Sequence, residues 1–100
     1  MKDKVKQIIE RYEAVTEQLA KPEIASDPNR YRELAKEHHD LDPVAKKGSE
    51  YISITDQIDE DEAILKGDDE ELKELVQEEI EGLRDEALKL EEELKVLLLP

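Results

Sequence analysis

The sequence predicts an all-α fold: a three-helix elongated bundle with a long antiparallel, coiled-coil-like helical hairpin. Apolar residues recur at steps of three and four along most of the chain, which places them on one face of a helix. Charged residues make up 44% of the chain and there are only three glycines, as expected for long solvent-exposed helices. With no Phe or Trp, the core must be built from smaller aliphatic residues, which suits helices meeting along narrow seams.

The first helix is predicted from Asp3 to Ala20. Lys21 and Pro22 should end it, because proline lacks an amide hydrogen and disfavours helical geometry in the residue before it. Its apolar stripe consists of Val5, Ile8, Ile9, Tyr12, Val15 and Leu19.

The second helix is predicted to begin at Pro28, with Asp27 as its N-cap. Pro43 lies inside this helix and removes one backbone hydrogen bond. Because the apolar stripe keeps its phase on both sides of Pro43, we predict one continuous, kinked helix and not two helices. The stripe consists of Tyr31, Leu34, His38, Leu41, Ala45, Gly48, Ile52 and Thr55.

The third helix should start after a break at Gly67, which could end the second helix in a left-handed conformation. Asp68 or Asp69 would cap the new helix, which runs to about Leu98. The short turn predicts that helices two and three lie antiparallel, with helix one across their apolar edges. The seam of helix three is close to a heptad repeat: Leu72, Val76, Ile80, Leu83, Ala87, Leu90, Leu94 and Leu97.

The net charge of −14 is unevenly distributed. Residues 1–50 carry 11 acidic and 10 basic residues, whereas residues 51–100 carry 18 acidic and 5 basic residues. The second half should repel nucleic-acid phosphates, so any approach to RNA must be led by the first half or mediated by a protein. The acidic positions of helix three are interpreted as a solvated face: Glu70, Glu71, Glu74, Glu78, Glu79, Glu81, Asp85 and Glu86.

Composition excludes several classes of protein. The chain has no cysteine, so it has no disulfide framework and no thiolate metal site. It opens on an amphipathic pattern and not on an apolar run, so neither a signal peptide nor a membrane span is predicted. We therefore expect a cytosolic, cytoplasmic protein.

The only dense group with metal-ligand or acid/base potential is His38, His39, Asp40 and Asp42. His38 and Asp42 are four residues apart, a spacing that could place two ligands on one helix face. His38 also falls on the apolar stripe, and no third ligand is evident nearby. A packed or partly exposed histidine is therefore favoured over a metal site, and a metal-dependent enzyme would need further ligands.

Other motifs for catalysis or cofactor binding are not recognisable. If Asp59 were the first ligand of a calcium-binding loop, Ile64 would occupy the position that needs glycine. The glycines are isolated, so no phosphate-binding loop is formed. Exposed carboxylates on a rod lack the pocket that would separate the pKa values of an acid and a base. We predict no catalytic, cofactor-binding or metal residue in this chain, and no cofactor.

Several segments together resemble the amino-terminal domain of bacterial class I peptide chain release factors, in particular the type that reads UAA and UAG. The resemblance keeps the order of the segments and extends over essentially all of residues 1–100. Its most specific parts are the position of Pro43 and the ending Leu97-Leu98-Leu99-Pro100. The segments are Ile9–Glu13, Ser26–His38, Leu41–Val44 and Leu90–Pro100.

The resemblance implies a helical domain, residues 1–100, of a factor in translation termination. In that family, a Gly-Gly-Gln motif promotes hydrolysis of peptidyl-tRNA and a Pro-x-Thr motif helps to read the codon; neither motif occurs in this sequence. The resemblance therefore implies a docking arm that is not itself an enzyme. In the family this domain reaches towards the stalk base of the large ribosomal subunit, so the ribosome is the expected partner.

The charge distribution suggests which residues would face the ribosome. We hypothesise that the basic residues of helix two do so, while the acidic third helix stays solvated or limits non-specific RNA contact. The alternative is that these are ordinary surface charges. The residues are Arg30, Arg32, Lys36, Lys46 and Lys47.

The sequence also leaves open a different class of function, a free-standing acidic coiled-coil interaction or adaptor protein that uses its leucine seam. The apolar run at Val96–Leu99 is expected to pack against a following part of a longer protein. Without that part, the exposed leucines would favour self-association of the fragment. Those leucines are Leu94, Leu97, Leu98 and Leu99.

Overall fold

A computed structural model describes residues 1–100, and it contains four helices and no strand. The helices are α1 (Lys2–Leu19), α2 (Pro22–Ala25), α3 (Pro28–Leu65) and α4 (Glu70–Leu97). The predicted all-α fold is therefore confirmed. None of the four helices combines the length and the apolar character that crossing a membrane requires.

The chain divides into two compact units, unit 1 (Met1–Gly48) and unit 2 (Ser49–Pro100), and α3 contributes residues to both. In unit 1, α1 runs antiparallel to the first part of α3. The core of unit 1 consists of Val5 and Val15 from α1 and of Leu34, Val44 and Ala45 from α3.

Gly48 allows α1 and α3 to approach closely in unit 1. A Cβ atom built on Gly48 would lie only 2.5 Å from Cγ1 of Val5 and 3.6 Å from Cδ1 of Ile9. Because Val5 is β-branched and fully buried, it cannot easily rotate away. A residue larger than glycine at position 48 would therefore push the two helices apart.

In unit 2, the second part of α3 and α4 form the predicted helical hairpin. The predicted seam of α4 is buried through most of its length, at Val76, Ile80, Ala87, Leu90 and Leu94. The terminal seam residues Leu72 and Leu97 are each 39% exposed. An Arg84–Glu62 ion pair at 2.9 Å also joins the two helices.

The helix starts follow the predicted capping chemistry. Asp27 Oδ1 accepts a hydrogen bond from the Arg30 amide at 3.2 Å, and Asp69 Oδ1 accepts one from the Leu72 amide at 3.1 Å. Each carboxylate thereby satisfies an amide that has no partner inside the helix. The α3 helix is continuous through Pro43, as predicted.

The structure corrects two details of the predicted breaks. Pro22 not only follows the first helix but also begins the short α2, where its missing amide hydrogen is harmless because first-turn amides have no helical partner. Gly67 does not adopt a positive φ. The α3 helix ends instead in tight turns, in which the Lys66 and Gly67 amides donate to the carbonyls of Ala63 and Ile64.

Candidate functional surfaces

The helices of unit 1 are joined by an Arg11–Glu37 pair on their exposed side. Arg11 donates from Nε to Oε2 of Glu37 at 2.5 Å and from Nη2 to Oε1 at 2.7 Å. This two-point geometry matches a planar guanidinium to a planar carboxylate. It holds the pKa of Glu37 below its ordinary value and raises the pKa of Arg11, chiefly through the hydrogen bonds.

Tyr12 forms the second link between α1 and α3. Its hydroxyl donates to Oδ1 of Asp42 at 2.6 Å, and Lys46 lies 3.0 Å from the other oxygen of that carboxylate. The hydrogen bond from Tyr12 is the main cause that lowers the pKa of Asp42, and the same bond raises the pKa of Tyr12. These contacts fix the lateral position of α1 on α3.

His38, the candidate metal ligand, packs in the same cluster. Its ring stacks on Tyr12 with the ring centres 4.3 Å apart and an angle of 23° between the planes. The Thr16 hydroxyl donates to the Tyr12 carbonyl at 2.8 Å, and its oxygen also lies within hydrogen-bond distance of His38 Nε2, at 2.9 Å.

The geometry around His38 and Asp42 gives them structural partners. Asp42 is engaged by Tyr12 and Lys46, and His38 by Tyr12 and Thr16. No group of three His, Cys, Asp or Glu residues is arranged to hold a metal ion. His39 and Asp40, the other members of the candidate cluster, are exposed on α3.

The five candidate ribosome-facing residues do not all share one face of α3. At about 100° per residue, Lys36 and Lys46 lie within about 40° of Arg32 around the helix, and Lys47 lies about 60° away. Arg32, Lys36 and Lys46 are exposed, and Lys47 is half-buried. We call these four residues the basic face of α3. No acidic residue between positions 28 and 47 falls within about 60° of Arg32.

Arg30 lies on the opposite side of α3, about 160° from Arg32. It pairs with Glu33 at 3.8 Å, one turn further along the same helix. Arg32 and Lys36 have no such ion pair, whereas Lys46 of the basic face pairs with Asp42 at 3.0 Å. The sequence pattern alone placed Arg30 with the others because it stands close to them along the chain.

The two exposed charged surfaces differ in sign. The basic face belongs to unit 1, whereas the outer positions of α4 in unit 2 carry exposed glutamates, among them Glu71, Glu74 and Glu78. An all-α scaffold with charged helix faces is suited to binding a macromolecule. The fold and these surfaces thus define an all-α domain with two charged faces of opposite sign.

A comparison with known protein families identifies the family of this domain. The chain belongs to the PCRF domain family, whose sequence model matches residues 8–100. This match confirms the resemblance to peptide chain release factors that the sequence segments indicated.

Curated relatives extend the comparison over almost the whole chain. A Ligilactobacillus salivarius protein named Peptide chain release factor 1 is 41% identical over 99 residues, which cover 98% of this chain and 28% of the relative. Proteins of the same name from Sulfurovum and Aliarcobacter butzleri are 43% and 39% identical, over 99% and 100% of this chain and 27% and 28% of theirs. The chain thus spans about a quarter of the relatives' length. No solved structure matches it significantly.

The side-chain contacts between α1 and α3 in unit 1 are not evident from the sequence. The sequence pattern places Tyr12 and His38 on apolar stripes, and His38 also in the candidate ligand group with Asp42. It does not predict a contact between Arg11 and Glu37. The partners are 22 to 30 residues apart along the chain. No local spacing rule connects such positions, so only the packed structure reveals the pairs.

Proposed function

We propose that this chain is the amino-terminal helical domain of a class I peptide chain release factor acting in translation termination. The observation that carries the proposal is the match of nearly the whole chain to the PCRF domain and to proteins named Peptide chain release factor 1. The reading of UAA and UAG codons follows from the resemblance to that type of factor. A ribosomal partner also implies a location in the cytoplasm.

Within such a factor, the proposed role of this domain is that of a docking arm at the stalk base of the large ribosomal subunit. The sequence contains no Gly-Gly-Gln motif, so peptidyl-tRNA hydrolysis is assigned to other parts of the factor. Rigid positioning supports the docking role. The Arg11–Glu37 and Tyr12–Asp42 contacts fix α1 on α3 and thereby stabilise the helix that presents the basic face.

A domain exchange tests the proposed role. The corresponding segment of the Ligilactobacillus salivarius relative is replaced by residues 1–100 of this chain, and peptide release is measured on ribosomes programmed with UAA. We expect the hybrid to release peptide at a rate similar to that of the intact relative. A relative from which the segment is deleted is the reference for loss of function, and a hybrid as slow as that deletion would contradict the proposal.

The basic face is tested in the same hybrid. Arg32→Glu with Lys36→Glu should weaken ribosome binding and reduce its salt dependence, because each lost phosphate contact lowers the slope of log affinity against log salt by about 0.7 to 0.9. Lys4→Glu with Lys6→Glu is the matched control on α1, with the same change in charge. Arg30→Glu should have a smaller effect, because Arg30 lies on the side of α3 opposite to the basic face. Equal losses in both double variants would show that only net charge matters.

A further inference from the structure

Leu75 is an exposed leucine on α4 that takes no part in the buried seam of the hairpin. It is 66% exposed, although its neighbour Val76 is buried in the seam. Leu75 lies in a shallow groove whose other lining residues are Glu71, Glu74 and Glu78. A single exposed leucine is ordinary on a protein surface, so Leu75 gains significance only together with a neighbouring feature.

Gly82 is the second unusual residue on this part of α4. It lies within the helix, seven residues after Leu75 and therefore about 10 Å further along nearly the same line. A Cβ atom built on Gly82 would meet nothing within 4 Å. Gly82 has no positive φ either. The fold of this chain therefore does not require a glycine here, in contrast to Gly48, although glycine weakens a helix interior relative to alanine.

Leu75 and Gly82 form one surface, which we call the Leu75–Gly82 face. Glutamates border it on both sides: Glu71, Glu78, Glu79 and Glu86 all lie within about 60° of Leu75 around the helix. From position 71 to position 86 the face is about 22 Å long, which corresponds to about 15 residues of a partner helix. It therefore combines an exposed apolar side chain, a position without a side chain and a negative border.

We propose that the Leu75–Gly82 face of α4 binds a cationic amphipathic helix of a partner protein. An apolar residue of the partner would cover Leu75, the partner backbone or a large side chain would approach at Gly82, and Lys or Arg side chains would pair with the bordering glutamates. The inference does not depend on the role proposed above, because it rests on a different surface.

The charge of unit 2 favours a cationic protein helix over RNA, an anionic membrane or a second copy of the chain. Unit 2 carries 19 acidic and 5 basic residues, which repel the phosphates of RNA and of anionic membranes. A second copy of the chain would bring another net charge of −14 to the contact. The same negative charge attracts a basic protein segment, which raises its rate of association and its specificity.

The test uses the 100-residue chain and two synthetic amidated peptides. One is a helix of about 18 residues of Leu, Ala and Lys with all leucines on one face; the other has the same composition with its leucines spread around the helix. Binding is followed by changes in the backbone amide NMR signals. We expect the first peptide to shift the signals around Leu75 and Gly82 and to bind more tightly than the second.

Variants of the chain distinguish a specific binding site from general electrostatic attraction to acidic residues. Leu75→Ser should weaken binding of the amphipathic peptide about tenfold, the equivalent of losing one covered leucine. Leu88→Ser is the matched control, because Leu88 is 61% exposed on another side of α4 and should change affinity less than about twofold. Equal effects of the two substitutions would overturn the proposal.

Gly82→Ala gives a readout that a purely structural role would not produce. The substitution should raise Tm by about 4 to 8 °C, because alanine favours the helix and meets no neighbour. It should nevertheless weaken peptide binding, since the new methyl group occupies the site of close approach. Unchanged or tighter binding in this more stable variant, or equal binding of both peptides to the original chain, would contradict the proposed face.

Discussion

Unit 1 and unit 2 differ in how far polar contacts join their helices. Unit 1 has ten basic and ten acidic residues, and α1 is joined to α3 by the Arg11–Glu37 pair and the Tyr12–Asp42 hydrogen bond. Unit 2 has five basic and nineteen acidic residues, and its hairpin relies on the buried seam of α4. Each unit has a buried apolar core, and unit 2 also has the Arg84–Glu62 pair between its helices. The balanced charge of unit 1 permits more such polar contacts, whereas the excess acid of unit 2 leaves apolar burial as its main source of stability.

The glycines of the two units show the same contrast in packing. Gly48 in unit 1 lies against Val5 with no room for a methyl group, whereas Gly82 in unit 2 faces open space. The same residue type therefore serves internal packing in one unit and leaves an external surface open in the other. Three substitutions test this comparison, in order of decreasing expected effect.

Removing an apolar seam residue should have the largest effect. Leu94 is fully buried in unit 2, so Leu94→Ala should lower the free energy of unfolding by about 2 to 5 kcal/mol, the usual range for a buried leucine. Leu88→Ala, at an exposed position on the same helix, is the control and should change it by less than about 0.5 kcal/mol. Urea unfolding followed by circular dichroism measures both. Similar losses in the two variants would mean that the seam does not dominate unit 2.

Filling the close approach in unit 1 should have an intermediate effect. The added methyl group of Gly48→Ala would clash with Cγ1 of Val5, and overpacking of about 1 to 3 kcal/mol should outweigh the gain of about 1 kcal/mol in helix propensity. We therefore expect a net loss of about 1 kcal/mol, measured by urea unfolding. Gly82→Ala is the matched control in unit 2 and should be stabilising. The same sign in both variants would contradict the contrast between the two glycines.

The smallest effect is expected from the Tyr12–Asp42 hydrogen bond. Tyr12→Phe removes the donor and should lower Tm by about 4 °C, as for one net hydrogen bond in a small domain. Tyr31→Phe, at an exposed tyrosine of the same unit, is the control. Thermal unfolding compares the two variants, and equal shifts would argue against a specific role for this bond.

The same bond predicts a pH dependence with a definite sign. The pKa of Asp42 is lowered in the fold, so its contribution is present above the unfolded pKa of about 4 and is lost as pH falls through the folded value. The pKa of Tyr12 is raised, so its contribution is present below about pH 10 and is lost as pH rises through the folded value. The free energy of unfolding, measured by urea unfolding across pH, should therefore fall at both extremes. Relative to neutral pH, the fall should be smaller in Tyr12→Phe.

Local sequence patterns determined a large part of this fold. The spacing of the apolar residues placed α1, α3 and α4, Asp27 was predicted as the cap of α3, and Asp69 was one of two predicted candidates for the cap of α4. Continuity through Pro43 followed from the unbroken phase of the stripe. The ordered segments that resemble release factors also indicated the family. All of these features depend on residues within a few helical turns of one another, or on similarity along the chain.

The tertiary structure decided which side chains are partners. Asp61, only 2% exposed, is buried on α3 where hydropathy alone predicts a surface residue; Gln57 donates to its Oδ1 at 2.9 Å. Tyr12 meets Asp42 across 30 positions of sequence. Hydropathy describes each residue alone, whereas burial and pairing depend on the approach of a second helix. That approach is fixed by close packing, such as that of Val5 on Gly48.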